Sequence, residues 1–312
     1  MLALTAATGK IGGAVLDALL DYGLVPADQL KVLTSSPPES PRVQKLVERG
    51  LKVHHARYQD GPAFGQALGR GDTLFLVSTP EIELDFNDAP LGNGREGRHF
   101  SAIDAAVAAG VDRIVYTSLA FKDGSQAGVM RAHFRTESYL RDLHSQGKLR
   151  SYTIVREGLY SESWPLYVGH YRGGDDDDDE RKDVVVAGDG PISWTSIADL
   201  GLATALVLTE AADRFREETV FLSQQRALPL GHIAATLGCS LKTTPPDEYV
   251  QHYVQTRGMD RAMLEWWVST YPSLPDGLCH IQESPLEELL SSKGRSPQSF
   301  EDIFGKMRSK QT

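Results

Sequence analysis

The feature that most narrows the fold lies at the very start of the chain. An apolar segment, residues 2–6, runs through Ala6-Ala7-Thr8-Gly9-Lys10-Ile11-Gly12-Gly13 directly into a helix-patterned stretch. Over residues 11–22, Ile11, Val15, Ala18, Leu19 and Tyr22 fall on one stripe, the spacing of an amphipathic helix. A strand that turns into a helix over glycines leaves first-turn N–H groups without partners inside the helix. Gly9 lets a ligand come close to backbone, and Gly12 lets the helix lie against its strand.

Glycine-containing strand–helix turns are common, so the weight of this one comes from the segments C-terminal to it. Strand-like runs at 30–34, 52–56, 73–77, 113–117 and 151–155 alternate with helix-like runs at 41–49, 60–68, 94–109 and 129–144. The TLFLV run at 73–77 is apolar throughout, as a strand buried on both faces requires. Asp60 and Ser196 stand where helix N-caps belong, and Gly110 where a helix stops. Right-handed crossovers turn this alternation into a doubly wound, mostly parallel Rossmann sheet with a small C-terminal α/β lobe. The core is expected over 1–157, rejoined by about 184–223, where 197–208 reads as a helix and 219–223 as a strand. The segments 158–183 and 224–312 make the smaller lobe, with a helix over 259–268.

A formal charge of −10 argues against nucleic acid or an anionic membrane surface as partner. Cys239 and Cys279 are the only cysteines, with no CxxC, which indicates neither a disulfide framework nor a zinc site. His54 and His55 are adjacent in a predicted strand and so point to opposite faces, unsuited to sharing a metal. No stretch reaches the roughly 18 apolar residues of a membrane span, and no signal peptide precedes the first strand, so the cytosol is the expected compartment. The acidic run at 175–180 reads as a solvated loop.

With the turn on the first strand of a βαβαβ series, its free N–H groups and helix dipole suit a dinucleotide pyrophosphate. The motifs then resemble one family along nearly the whole chain, the NmrA-like branch of the atypical short-chain dehydrogenase/reductases. That family opens on T-G-A-T-G-x-x-G, where this chain has Thr5-Ala6-Ala7-Thr8-Gly9-Lys10-Ile11-Gly12. Leu76-Val77-Ser78-Thr79-Pro80 resembles its fourth-strand end, and residues 109–118 its fifth strand. His133, Thr136-Glu137 and the block 151–160 resemble its sixth-strand region. Ile197-Ala198-Asp199-Leu200-Gly201 and Gly294-Arg295-Ser296-Pro297 complete the series. The resemblance implies a bound nicotinamide dinucleotide held by Thr5, Ala6, Thr8, Gly9, Lys10, Ile11, Ser78, Thr79, Pro80 and Leu159.

Two departures stand out. Ala6 replaces the first glycine of the turn; a left-handed backbone there would cost alanine about 1–2 kcal/mol, so φ < 0 is expected. After strand two, where the family often has arginine, this chain has Ser35. An NAD-specific site usually places Asp or Glu there for the ribose 2′-hydroxyl. Leu33-Thr34-Ser35-Ser36 offers none, while Ser35, Ser36, Arg42 and Lys45 offer donors and charge to a 2′-phosphate, so NADP(H) is the expected cofactor. Arg42 and Lys45 read equally as solvent-facing helix residues.

No tyrosine is followed by lysine four places on, so the Tyr-x-x-x-Lys of ordinary short-chain dehydrogenases is missing. His133 occupies its slot as proton donor, with Glu137 on the same helix face to hold it protonated. Ser118 is expected to polarise the same oxygen, and Tyr160 is a second donor. A bracing role for His133 and Glu137 stands beside that reading. Trp164, Tyr167, Trp194, Trp266 and Trp267 are expected either to wall an aromatic pocket or to form the lobe's core. Two functions remain open: an NADPH-dependent reductase of a small aromatic carbonyl or quinone, or a non-catalytic redox sensor acting on a protein partner. A homodimer suits either.

Overall fold

The computed structural model describes residues 1–172, 181–209 and 212–309, so the acidic run at 175–180 lies outside the described residues. Its first half repeats strand and helix: β1 (Leu2–Thr5), α1 (Lys10–Asp21), β2 (Leu30–Thr34), α2 (Pro41–Glu48), β3 (Lys52–His55), α3 (Gly61–Gln66), β4 (Thr73–Leu76), α4 (Arg95–Ala108), β5 (Arg113–Leu119), α5 (Gly128–Ser145) and β6 (Ser151–Glu157). The caps follow the sequence: Asp60 accepts from the Ala63 N–H and Ser196 from that of Asp199.

After β6 come α6 (Trp164–Tyr167), β7 (Asp183–Val186), α7 (Ile197–Leu208), β8 (Thr219–Leu222), α8 (Leu230–Thr236), β9 (Ser240–Thr243), α9 (Pro246–Arg257), α10 (Arg261–Val268), α11 (Leu286–Ser291) and α12 (Phe300–Ser309). Seven strands form one parallel sheet in the order β3-β2-β1-β4-β5-β6-β8. The expected return to the core near 184 comes later. β7 pairs with β9 in a separate two-stranded sheet of the second lobe, and α7, β8 and, later, α11 rejoin the core.

Both faces of the large sheet are covered, which is why its central strands are apolar without alternation. One face packs on α1, α7 and α11 through Val15, Leu19, Leu200, Leu206 and Leu286. The other packs on α3, α4 and α5 through Phe64, Ile103, Ala106 and Leu140. α1 and α7 touch at Gly201, where an added Cβ would lie 2.6 Å from the Ala14 Cβ. The second lobe has its own aromatic core, in which Trp164, Tyr167, Trp194, Tyr249, Tyr253 and Trp267 pack together. Four of the five residues expected to wall a pocket are therefore interior packing, and only Trp266 borders a cleft. Large flat rings have buried most of their area against one another, the most direct way for a small lobe to acquire a core.

Candidate functional site

β1 lies between β2 and β4, so the chain reverses its direction of travel across the sheet beside the glycine turn. Ligands of such sheets bind outside the strand carboxyl ends at this switch point. A cleft of about 490 Å³ sits there, lined by Ala6, Thr8 and Gly9 from the turn, Ser35 and Arg42 from β2–α2, Arg57 and Gln59 after β3, and Ser78–Glu81 after β4.

The turn is tighter than the sequence suggests. Gly9 is the N-cap of α1 and no side chain caps the helix, so its first N–H groups are left to whatever occupies the cleft. Ala6 has φ +52, which corrects the expectation of φ < 0. Its carbonyl must point into the turn to accept from the Gly9 N–H at 2.8 Å, and only a left-handed residue aims it there. The same carbonyl explains Gly12, whose Cβ would lie 2.3 Å from it. Alanine bears a cost of about 1–2 kcal/mol at this position.

Thr5 is buried and internal. Its hydroxyl donates to the Phe75 carbonyl and accepts from the Val77 N–H and the Tyr58 hydroxyl, tying β1 to β4 beneath the cleft. Ile11 belongs to the core behind the turn, and Lys10 is exposed beside it. Leu159 is buried in the second lobe's core and does not border this cleft. Lys45 is exposed on α2 away from it, whereas Arg42 lines it. Sequence reasoning misses Arg57, although it follows the end of the strand beside β2 and topology alone would flag it. Among the described residues neither Arg42 nor Arg57 forms an ion pair, so two unpaired guanidinium groups line the cleft with Ser35, while Glu81 in the same lining pairs with Arg98.

On the β5–β6 side the polar side chains are spoken for. His133 is buried, and its Nδ1 bonds to the Tyr116 hydroxyl at 2.9 Å. The expected His133–Glu137 pairing is not made. Glu137 instead accepts from Arg156 Nε at 2.9 Å and a terminal guanidinium nitrogen at 2.7 Å, and from Ser118 Oγ at 2.7 Å. Burial, and then the charge of Arg95, hold the His133 pKa well below the ordinary range, so the ring is neutral. The i,i+4 spacing holds, but α5 rolls the two side chains toward different partners on β5 and β6.

Tyr160 is similar. Its hydroxyl donates inward to Glu157 at 2.9 Å. Glu157 is itself buried beneath α7, and burial raises its pKa to about 8 despite bonds from Tyr160 and Thr204. Ser118 and Tyr160 thus commit their hydroxyls, and His133 its Nδ1, to interior partners, and none of the three lines the switch-point cleft.

A parallel sheet with a switch-point cleft beside an uncapped helix defines a Rossmann-type α/β protein. The chain belongs to the NmrA-like family, whose sequence profile matches residues 1–229. It is similar to quinone oxidoreductase 2 of Escherichia coli, 33% identical over 242 residues, covering 76% of this chain and 73% of that protein. An NmrA-like family domain-containing oxidoreductase of Aspergillus flavus is 26% identical over 305 residues, covering 94% and 90%. Among solved structures, the NADPH complex of the Escherichia coli NADPH-dependent quinone oxidoreductase superposes with a TM-score of 0.79 at 26% identity, covering 98% of this chain and 99% of that one. The NADP(H) complex of Citrobacter triphenylmethane reductase shares the fold, with a TM-score of 0.75 at 22% identity and coverage of 98% and 99%. No helix among the described residues is long and apolar enough to cross a membrane.

Proposed function

We propose that the chain is an NADPH-dependent oxidoreductase acting on quinones or similarly conjugated aromatic acceptors, with the product proton supplied by water. One contrast carries this reading: Ser35, Arg42 and Arg57 line the cleft with neither arginine in an ion pair, while Ser118 and Tyr160 lie outside that lining with their hydroxyls bonded to buried carboxylates, and His133 with its Nδ1 bonded to Tyr116. The uncapped start of α1 would hold the pyrophosphate, with Gly9 giving it access. Ser35, Arg42 and Arg57 would hold the 2′-phosphate, a charge-assisted arrangement in which neither arginine is already paired with a carboxylate. When bound, the nicotinamide supplies a hydride. The relatives named for NADPH and for quinones support the same reading.

The engaged donors bear on the acceptor. Hydride addition to a plain ketone makes a strongly basic alkoxide, which needs an acid placed beside it. Addition to a quinone makes a phenolate-like oxygen, comparable to a tyrosinate of pKa about 10, which water protonates readily. Ser118 and Tyr160 are committed to interior bonds through their hydroxyls and His133 through its Nδ1, and we assign them to holding β5, β6 and α5 in place.

The test is NADPH oxidation by matched quinones and simple ketones, for the wild type and His133→Gln. Quinones should turn over and ketones should not, and the variant should keep kcat within about threefold, far from the 10²–10⁴ that a lost general acid costs. Ketone reduction with an acid limb near the histidine range, abolished in the variant, would restore His133 as donor. Tight NADPH binding with no acceptor turned over would favour the sensor.

A further inference from the structure

The wall of the cleft after β4 is held in an unusual way. Thr79 lines the cleft between Ser78 and Pro80. Its backbone N–H donates to His99 Nε2 at 3.0 Å, and its carbonyl accepts from Arg95 Nη1 at 3.3 Å. Arg95 and His99 are one helical turn apart on α4 and both buried, so one helix face grips both backbone groups of one cleft residue. Arg98, on the same helix, adds an ion pair to Glu81 at 3.3 Å.

Each gripping side chain is itself fixed. Asp85 takes the Arg95 Nε at 2.6 Å and its backbone N–H at 2.8 Å, while Arg95 Nη2 donates to the Val129 carbonyl at the start of α5. His99 accepts from an amide, so its proton must sit on Nδ1, which faces Thr136 Oγ1 at 2.9 Å. Thr136 passes its own proton to the Ala132 carbonyl and is free to accept. Tyr116 lies 3.3 Å from the same ring nitrogen and continues to His133. The bonds are consistent for a neutral His99 and fail for an imidazolium, which could not accept from Thr79.

We propose that Arg95 and His99 are positioning residues for the bound dinucleotide, setting the Thr79 backbone so that the cleft wall is formed before the cofactor arrives. The proposal rests on the NADPH reading above. Ordinarily a loop after a parallel strand presents its backbone groups to water, and a ligand must order it at a cost in affinity. Here that ordering is done from within. His133, at the far end of the chain of bonds, then serves the wall through Tyr116 and need not touch substrate.

Because β4 lies on the opposite side of β1 from β2, the wall would serve the nicotinamide-bearing half of a bound dinucleotide, and Ser35, Arg42 and Arg57 the adenosine half. The experiment is therefore a split measurement by calorimetry, using NADPH and the fragment adenosine 2′,5′-bisphosphate. His99→Leu removes the acceptor and leaves the Thr79 N–H buried without a partner. It should weaken NADPH binding about tenfold to a hundredfold and leave the fragment within about twofold of wild type. His99→Gln, whose amide oxygen can accept, should recover most of the loss. Thr136→Val frees the His99 ring without touching Thr79 and keeps side-chain volume, so it should give a smaller loss of NADPH affinity in a fully folded protein. NADPH affinity unchanged in both His99→Leu and Thr136→Val, or NADPH and fragment weakened equally, would overturn the positioning role. A wild type that binds neither would instead overturn the reading of the cleft.

Discussion

The cleft and the neighbouring β5–β6 region differ in what their polar side chains are doing. Around Ser35, two arginines line the cleft and neither is paired with a carboxylate. Around β5 and β6, buried His133 is bonded to Tyr116, buried Ser118 to Glu137, and partly buried Tyr160 to Glu157. A polar group already satisfied by the protein has little to offer a ligand, whereas an unneutralised cation offers charge and donors together. The molecule therefore concentrates its binding chemistry at the phosphate end. At the other end its polar residues maintain shape.

The largest expected effect breaks the phosphate end outright. Gly9→Val should cut NADPH affinity by more than about a hundredfold while the protein stays folded. Its backbone (φ −90, ψ −179) is one valine adopts, and the nearest atom to a Cβ is the Ala6 carbonyl at 3.1 Å. Unimpaired binding would mean that no pyrophosphate passes here. Next, Arg42→Ala and Arg57→Ala should each weaken NADPH about tenfold, from the loss of a charge-assisted bond, and leave NADH unaffected. Equal losses for both cofactors would show that the arginines do not read the 2′-phosphate.

The acceptor end is sharpened by pH. Glu157 has a folded-state pKa raised to about 8, so it folds as the neutral acid. The unfolded chain ionises near pH 4.5, and stability is therefore lost as pH rises from there toward 8, then levels off. Glu157→Gln should raise Tm at pH 8.5 by at least about 2 °C relative to wild type and lose that advantage by about pH 5. An advantage independent of pH would place the ionised carboxylate in the native core. His99, with its pKa lowered to about 3 by burial and then Arg95, acts in the other direction, costing stability as pH falls below 6.5 because only the unfolded chain takes up the proton. The smallest expected change is Ala6→Gly, a gain of about 0.5–1 kcal/mol from relief of the left-handed backbone, less the added freedom of glycine when unfolded. Chemical denaturation measures it, and a loss of stability would show that alanine is unstrained there.

Much of the fold is legible from residues 1–157 because the period of apolar positions switches cleanly between strand and helix, and because residues such as Asp60, and Ser196 further on, announce helix starts. The glycine turn places the cleft, and the missing carboxylate after β2 points to its charge preference. These are local properties, written in spacing and residue type over a few positions.

Partner choice is not legible. The spacing of His133 and Glu137 predicts a shared helix face, yet Arg156 reaches Glu137 from β6 and Tyr116 reaches His133 from β5. Those strands flank α5 in sequence, but their side chains meet it only once the sheet forms and α5 packs on it. The sign of φ at Ala6 depends in the same way on how closely α1 approaches its strand, and β7 joins β9 because both lie in the lobe that closes over the sheet. Residue type and period settle which elements form and where backbone N–H groups are left free. Which buried polar atom satisfies which other is settled by packing, since inside a dry core each donor must take the nearest acceptor the assembled elements bring to it.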